Sequence, residues 1–132
     1  MPRPKYEHPT PGELEVLKIL WDRGPSTVRD VMDVLNRTRR RAYTSVMSLL
    51  GVMTDKKLVR REPQGRAFLY RAAVGRDKAL GQVVQDLVGR VFEGSARDLV
   101  AHLLDEADVS EDDLKEIRAL VEQYEQKQGD RS

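Results

Sequence analysis

Residues 58–72 read LVRREPQGRAFLYRA, and this stretch decides the fold. Upstream of it, apolar residues recur every three or four positions, the period of a helix. Here the period changes. LVRRE (58–62) and AFLYRA (67–72) read as two short strands, and Pro63, Gln64, Gly65 and Arg66 supply the turn between them. The fold then depends on what precedes and follows this hairpin.

Working back from it, a helix is expected from about Ala42 to Lys56, with Val46, Leu49, Leu50 and Met53 as its inward stripe. A second helix is capped by Ser26 or Thr27; Val28, Val31 and Leu35 face inward, flanked by Met32 or Val34. A first helix begins at Thr10-Pro11-Gly12-Glu13. There Thr10 can cap, Pro11 suits the first helical position and Glu13 can close a capping box. Leu14, Leu17, Leu20 and Trp21 follow at helical spacing, and Gly24-Pro25 stops the run. Residues 1–9 hold three of the six prolines and read as an irregular arm. Three helices closed by a hairpin make a winged helix-turn-helix over residues 10–75. In that fold the third helix enters the DNA major groove and the hairpin is the wing beside it.

Beyond Gly75 the pattern is helical again. Residues 77–92 carry a broad apolar face that includes Leu80, Val84, Leu87 and Val91. A short helix over about 96–105 holds Leu99, Val100, Leu103 and Leu104. Ser110 caps a last helix, with Asp113 in the box position and Leu114, Ile117, Leu120, Val121 and Tyr124 facing one way. Three such helices have too little mass for a core of their own, so residues 76–127 read as a dimerisation module, followed by a flexible tail at 128–132. The expected fold class is therefore mainly α: an N-terminal winged helix and a C-terminal three-helix dimerisation module. The expected dimer face is Leu80, Val84, Leu87, Val91, Leu99, Leu103, Ile117, Leu120, Val121 and Tyr124.

Charge divides along the same line. The chain has 132 residues, 39% of them apolar, and a net charge of only +1. Residues 1–75 carry 15 Lys and Arg against 8 Asp and Glu, a net of +7; the remainder carries 8 against 14, a net of −6. A basic front half suits a polyanion, which the acidic rear half would repel. Within the front half, Arg37, Arg39, Arg40 and Arg41 stand just before the third helix. If its stripe faces inward, Thr44, Ser45, Met47, Ser48, Gly51 and Val52 face outward, and no long charged side chain occurs between Ala42 and Thr54. Solvated helix faces normally carry Lys, Glu, Gln or Arg. A smooth face of short hydroxyl groups suits a helix lying deep in a groove, with arginines on the flanking phosphates. This predicts base reading by the third helix, and phosphate contacts from Arg41 at its start and from Arg66 at the wing tip. The rival reading is a winged helix used only for protein contact. RNA binding is disfavoured because the stacking aromatics it uses are scarce.

Other functions find little support. There is no cysteine, which excludes disulfides, thiolate catalysis and cysteine-based metal sites. His8 and His102 fall in different modules without a motif. Neither a P-loop, a dinucleotide fingerprint nor an HExxH segment is present. No enzyme activity, cofactor or metal is expected. No apolar run is long enough to span a bilayer, and a cytoplasmic, soluble chain is expected.

The segments TPGELEVLKILWDRGPSTVRDVMDVLN, RAYTSVMSLL, DKKLVRRE and GRAFLYRAAVGRD, in this order, resemble the penicillinase-repressor family, which includes beta-lactamase and methicillin-resistance repressors. The resemblance is close over about residues 8–77 and loose beyond. It implies a homodimeric transcriptional repressor whose winged helix binds a palindromic double-stranded DNA operator and whose C-terminal helices form the dimer. By position it assigns Ala42, Tyr43, Thr44, Ser45 and Ser48 to the recognition segment, and Arg66 to the wing tip. Lys57 stands where the family often has a helix-ending glycine. In antibiotic-responsive members a membrane sensor protease pathway leads to cleavage of an Asn-Phe bond. The matching place here is His102-Leu103, a departure from that pair. Copper-responsive members use C-terminal cysteines, and this chain has none.

Overall fold

The computed structural model describes residues 9–131. The expected arm at 1–9, apart from Pro9, lies outside the described residues, as do His8 and Ser132. The elements run α1 (Pro11–Arg23), α2 (Val28–Leu35), α3 (Tyr43–Asp55), β1 (Val59–Gln64), β2 (Ala67–Ala72), α4 (Arg76–Val91), α5 (Ala96–Glu106) and α6 (Glu111–Arg131). This is the mainly α chain expected, with three helices and a hairpin wing followed by three more helices.

Local chemistry sets most of the boundaries. Thr10 caps α1 and Thr27 caps α2, each in a reciprocal box with Glu13 and Asp30 respectively. Thr27, not Ser26, is therefore the second cap. Ser26 is buried and pairs with Tyr70 through two backbone hydrogen bonds of 3.0 and 2.8 Å, which ties the α1–α2 loop to the wing. The wing is tighter than expected. β1 continues through Pro63 to Gln64, and Gln64 pairs with Ala67, so only Gly65 and Arg66 form the turn. Gly65 has φ +62°, the value that favours glycine at the first position of a type II′ turn. The indole Nε1 of Trp21 donates to the carbonyl of Val74 at 3.0 Å and holds the exit of the hairpin.

The chain divides into two compact units, one up to Leu87 and one from Val88. The first has a single core. Val16, Leu17 and Leu20 of α1 meet Val31 of α2 and Val46, Leu50 and Met53 of α3, and Val59 and Tyr70 of the wing close it. Burying each such aliphatic side chain contributes about 1.5–3 kcal/mol. The α1 stripe is rotated from the expected one: Val16 and Ile19 are buried, while Leu14 and Trp21 are only half-buried. The unit also extends past Gly75 into α4, where Ala79 is buried.

In the second unit no described side chain is buried. Ser95 caps α5 by accepting from the Asp98 N–H, and Ser110 and Asp113 form the expected box at α6. The last helix continues to Arg131, past the expected change to a tail at 128.

Candidate nucleic-acid interface

The segment expected to read DNA, Ala42 to Ser48, falls at the start of α3. Ala42 is its N-cap and makes no side-chain cap bond. Val46, Leu50 and Met53 pin one side to the core. Tyr43, Thr44, Ser45, Met47, Ser48 and Val52 are exposed on the other, and Gly51 is half-buried. The expected smooth face is present, bearing small hydroxyls and a Met47 that is 50% exposed.

Beside this face runs a groove of about 680 Å³. α3 supplies Tyr43, Met47 and Gly51, the start of α2 supplies Arg29, and the wing supplies Arg61, Arg66 and Phe68. Arg66 thus shares a surface with Tyr43. Two arginines here are held over rings: Arg29 lies 5.8 Å from the centroid of Tyr43, and Arg61 4.5 Å from that of Phe68. Stacking orients each guanidinium yet leaves its N–H donors free for acceptors such as phosphate. Sequence reading did not single out Arg29 or Arg61. A signal for Arg61 existed: strand parity puts it on the same face as buried Val59 and Tyr70.

Arg41 is placed differently from the expectation. Its guanidinium donates to the Leu35 carbonyl at 3.0 Å, to the Arg39 carbonyl at 3.3 Å and to Glu15 at 3.0 Å. Its backbone N–H donates to Asn36 Oδ1 at 2.7 Å. The side chain is only 17% exposed. Arg37, Arg39 and Arg40, by contrast, are exposed.

The apolar positions expected at a dimer contact are largely open. Leu80, Val84, Leu87 and Val91 are exposed on α4, Leu103 on α5, and Leu120, Val121 and Tyr124 on α6; Leu99 and Ile117 are half-covered. His102 lies inside α5, its ring 5.3 Å from that of Phe92. Leu103 follows within the same helix. Among the described residues no cluster of His, Asp or Glu is arranged to hold a metal ion, and no helix is long and apolar enough to cross a membrane.

A winged helix with this α3 face points to DNA, and comparison with known proteins agrees. A family model described as penicillinase repressor matches residues 9–123. The chain belongs to the penicillinase repressor family. It is 34% identical over 115 residues to the transcriptional regulator BlaI of Mycobacterium tuberculosis, covering 84% of this chain and 83% of that one. It is 20% identical over 113 residues to the penicillinase repressor of Bacillus licheniformis, covering 86% and 88%. With the methicillin resistance regulatory protein MecI of Mammaliicoccus sciuri it shares 19% over 110 residues, covering 83% and 89%. The family is one of DNA-binding transcriptional repressors and not of enzymes.

Proposed function

We propose that this repressor acts as a homodimer on a palindromic operator and blocks a promoter by occupying it. Two copies of α3 would lie in successive major grooves about 34–36 Å apart. The observation that carries this reading is the outward face of α3, exposed, hydroxyl-bearing and without a charged side chain, set beside a groove lined by Arg29, Arg61 and Arg66. Thr44, Ser45 and Ser48 would meet base edges, and Tyr43 and Met47 would touch thymine methyls. Arg66, Arg61 and the exposed Arg39 and Arg40 would face phosphates. The open apolar faces of α4, α5 and α6 are where a second copy would pack, because about 25 cal/mol is gained per Å² of apolar surface covered.

Cleavage by a sensor-protease pathway fits this chain less well. His102-Leu103 replaces the family's Asn-Phe, and a protease that takes extended substrate would first have to unwind the middle of α5.

Fluorescence anisotropy tests the reading. The full chain is titrated with a duplex from upstream of its own gene and with a scrambled duplex of equal length, near physiological salt. A preference of about a thousandfold or more is expected. Thr44→Ala or Ser45→Ala should then lose about 1–3 kcal/mol on the preferred duplex if that side chain reads a base. Arg66→Ala should weaken binding to both duplexes and flatten the salt dependence. Absence of binding to any duplex at low salt would leave a protein-contact module instead.

A further inference from the structure

Two carboxylates of α1 reach opposite ends of the recognition helix. Glu15 accepts from the Nη2 of Arg41 at 3.0 Å, and Arg41 stands just before α3. Glu13 accepts from the Nζ of Lys56 at 2.7 Å, and Lys56 is the C-cap of α3. Each end is tied further. Arg41 also holds the carbonyl of Leu35 at the end of α2, and its backbone N–H is held by Asn36. Glu13 also accepts from the Thr10 N–H at 2.9 Å within the α1 cap.

These bonds do something that the core does not. Val46, Leu50 and Met53 bury one line of α3, but apolar contact is non-directional and allows the helix to rock or slide about that line. Charge-assisted hydrogen bonds are directional. One at each end fixes both the rotation of α3 about its axis and its tilt, and so where Thr44, Ser45 and Ser48 point. The planar fork of Arg41 bridges three chain segments at once, α1, the end of α2 and the approach to α3, which a lysine could not do.

We propose that α1 positions the reading helix through two straps, Glu15 with Arg41 at its start and Glu13 with Lys56 at its end. All four are positioning residues for base recognition and do not touch DNA. This rests on the reading of α3 as the helix that reads bases. It reassigns Arg41 from a phosphate contact to an internal brace. Glu15 is 58% exposed, and an ion pair so exposed adds little to stability. Its removal therefore separates positioning from folding.

The experiment uses the full chain and a duplex that the wild-type chain selects from a random pool, against a scrambled duplex, over a series of salt concentrations. Far-UV circular dichroism checks that each variant is folded. Glu15→Ala and Arg41→Gln should each weaken the selected duplex about tenfold, the scale of one misplaced base contact, with the scrambled affinity and the salt slope unchanged. The double variant should be no worse than Arg41→Gln alone, since both break one strap. If Arg41→Gln weakens both duplexes equally and flattens the salt slope by about one, Arg41 is a phosphate contact and the proposal is overturned. Folded variants with the wild-type preference would overturn it as well, leaving the straps as packing only. A wild-type chain that selects no duplex would instead overturn the reading of α3, and the straps' role in recognition with it.

Discussion

Lys57 shows how one residue can work against its own backbone. It follows the C-cap of α3 with φ +64°, a region that L side chains other than Asn and Asp seldom occupy. The turn holds because its hydrogen bonds are complete. The Leu58 N–H reaches the Met53 carbonyl at 2.9 Å and the Lys57 N–H reaches that of Thr54 at 3.0 Å, the Schellman pattern, with Leu58 and Met53 both buried. Lys57 therefore occupies a turn that favours glycine without reshaping it. Lys57→Gly should raise stability by about 1 kcal/mol, read as a higher denaturant midpoint at unchanged slope. A lower midpoint would mean that the exposed lysine side chain contributes more than the backbone strain costs. Arg41 gives the opposite lesson. Its charge is plain in the sequence, but its partner Glu15 lies 26 residues away, so no local pattern could say where the guanidinium goes.

Helix starts were legible because capping is local. Thr10 with Glu13, Thr27 with Asp30 and Ser110 with Asp113 each close within four residues. The α2 cap has a pH signature. Hydrogen bonds from Thr27, the backbone N–H first, hold the Asp30 carboxyl below its ordinary value, assisted by Arg23. Stability from this carboxylate is fully present above its unfolded value of about 3.9 and is lost as pH falls through the lower folded value. Asp30→Asn should accordingly lower the melting temperature at pH 7, and its gap from wild type should shrink as pH falls below the ordinary aspartate range. A gap that stays constant from neutral to acid pH would exclude a charged cap. The rotated stripe of α1 was less legible. Leucines and valines follow so densely there that several faces satisfy the helical period, and packing against α2 and the wing selects the buried one, with Val16 and Ile19 on it.

Across the whole chain the apolar surface is unevenly covered. The first unit closes a core around Leu17 and Leu50, whereas Leu120 and Tyr124 on α6 are 64% and 63% exposed. Leu120→Asp with Tyr124→Asp should leave the helices intact and shift the chain to a monomer in sedimentation equilibrium. On the proposed dimer, operator affinity should fall about a hundredfold or more, because its two half-sites would no longer be tethered. A double variant that stays dimeric would move the contact elsewhere, and a monomer binding as tightly as wild type would end the dimer account. The acidic C-terminal residues keep the charge of this region opposite to that of the winged helix.

The sequence by itself determined the order of elements, the caps of α1 and α6, the two-strand wing and the smooth outward face of α3. Each of these depends on residues a few positions apart, where backbone geometry leaves few choices. The tertiary structure alone decided that Arg41 turns to Glu15 and the Leu35 carbonyl, that Glu13 reaches the far end of α3, and that Arg29 and Arg61 border the same groove as Arg66. Long charged side chains have many rotamers and take whichever partner the fold brings near. Their roles are settled only once segments distant in the chain have packed.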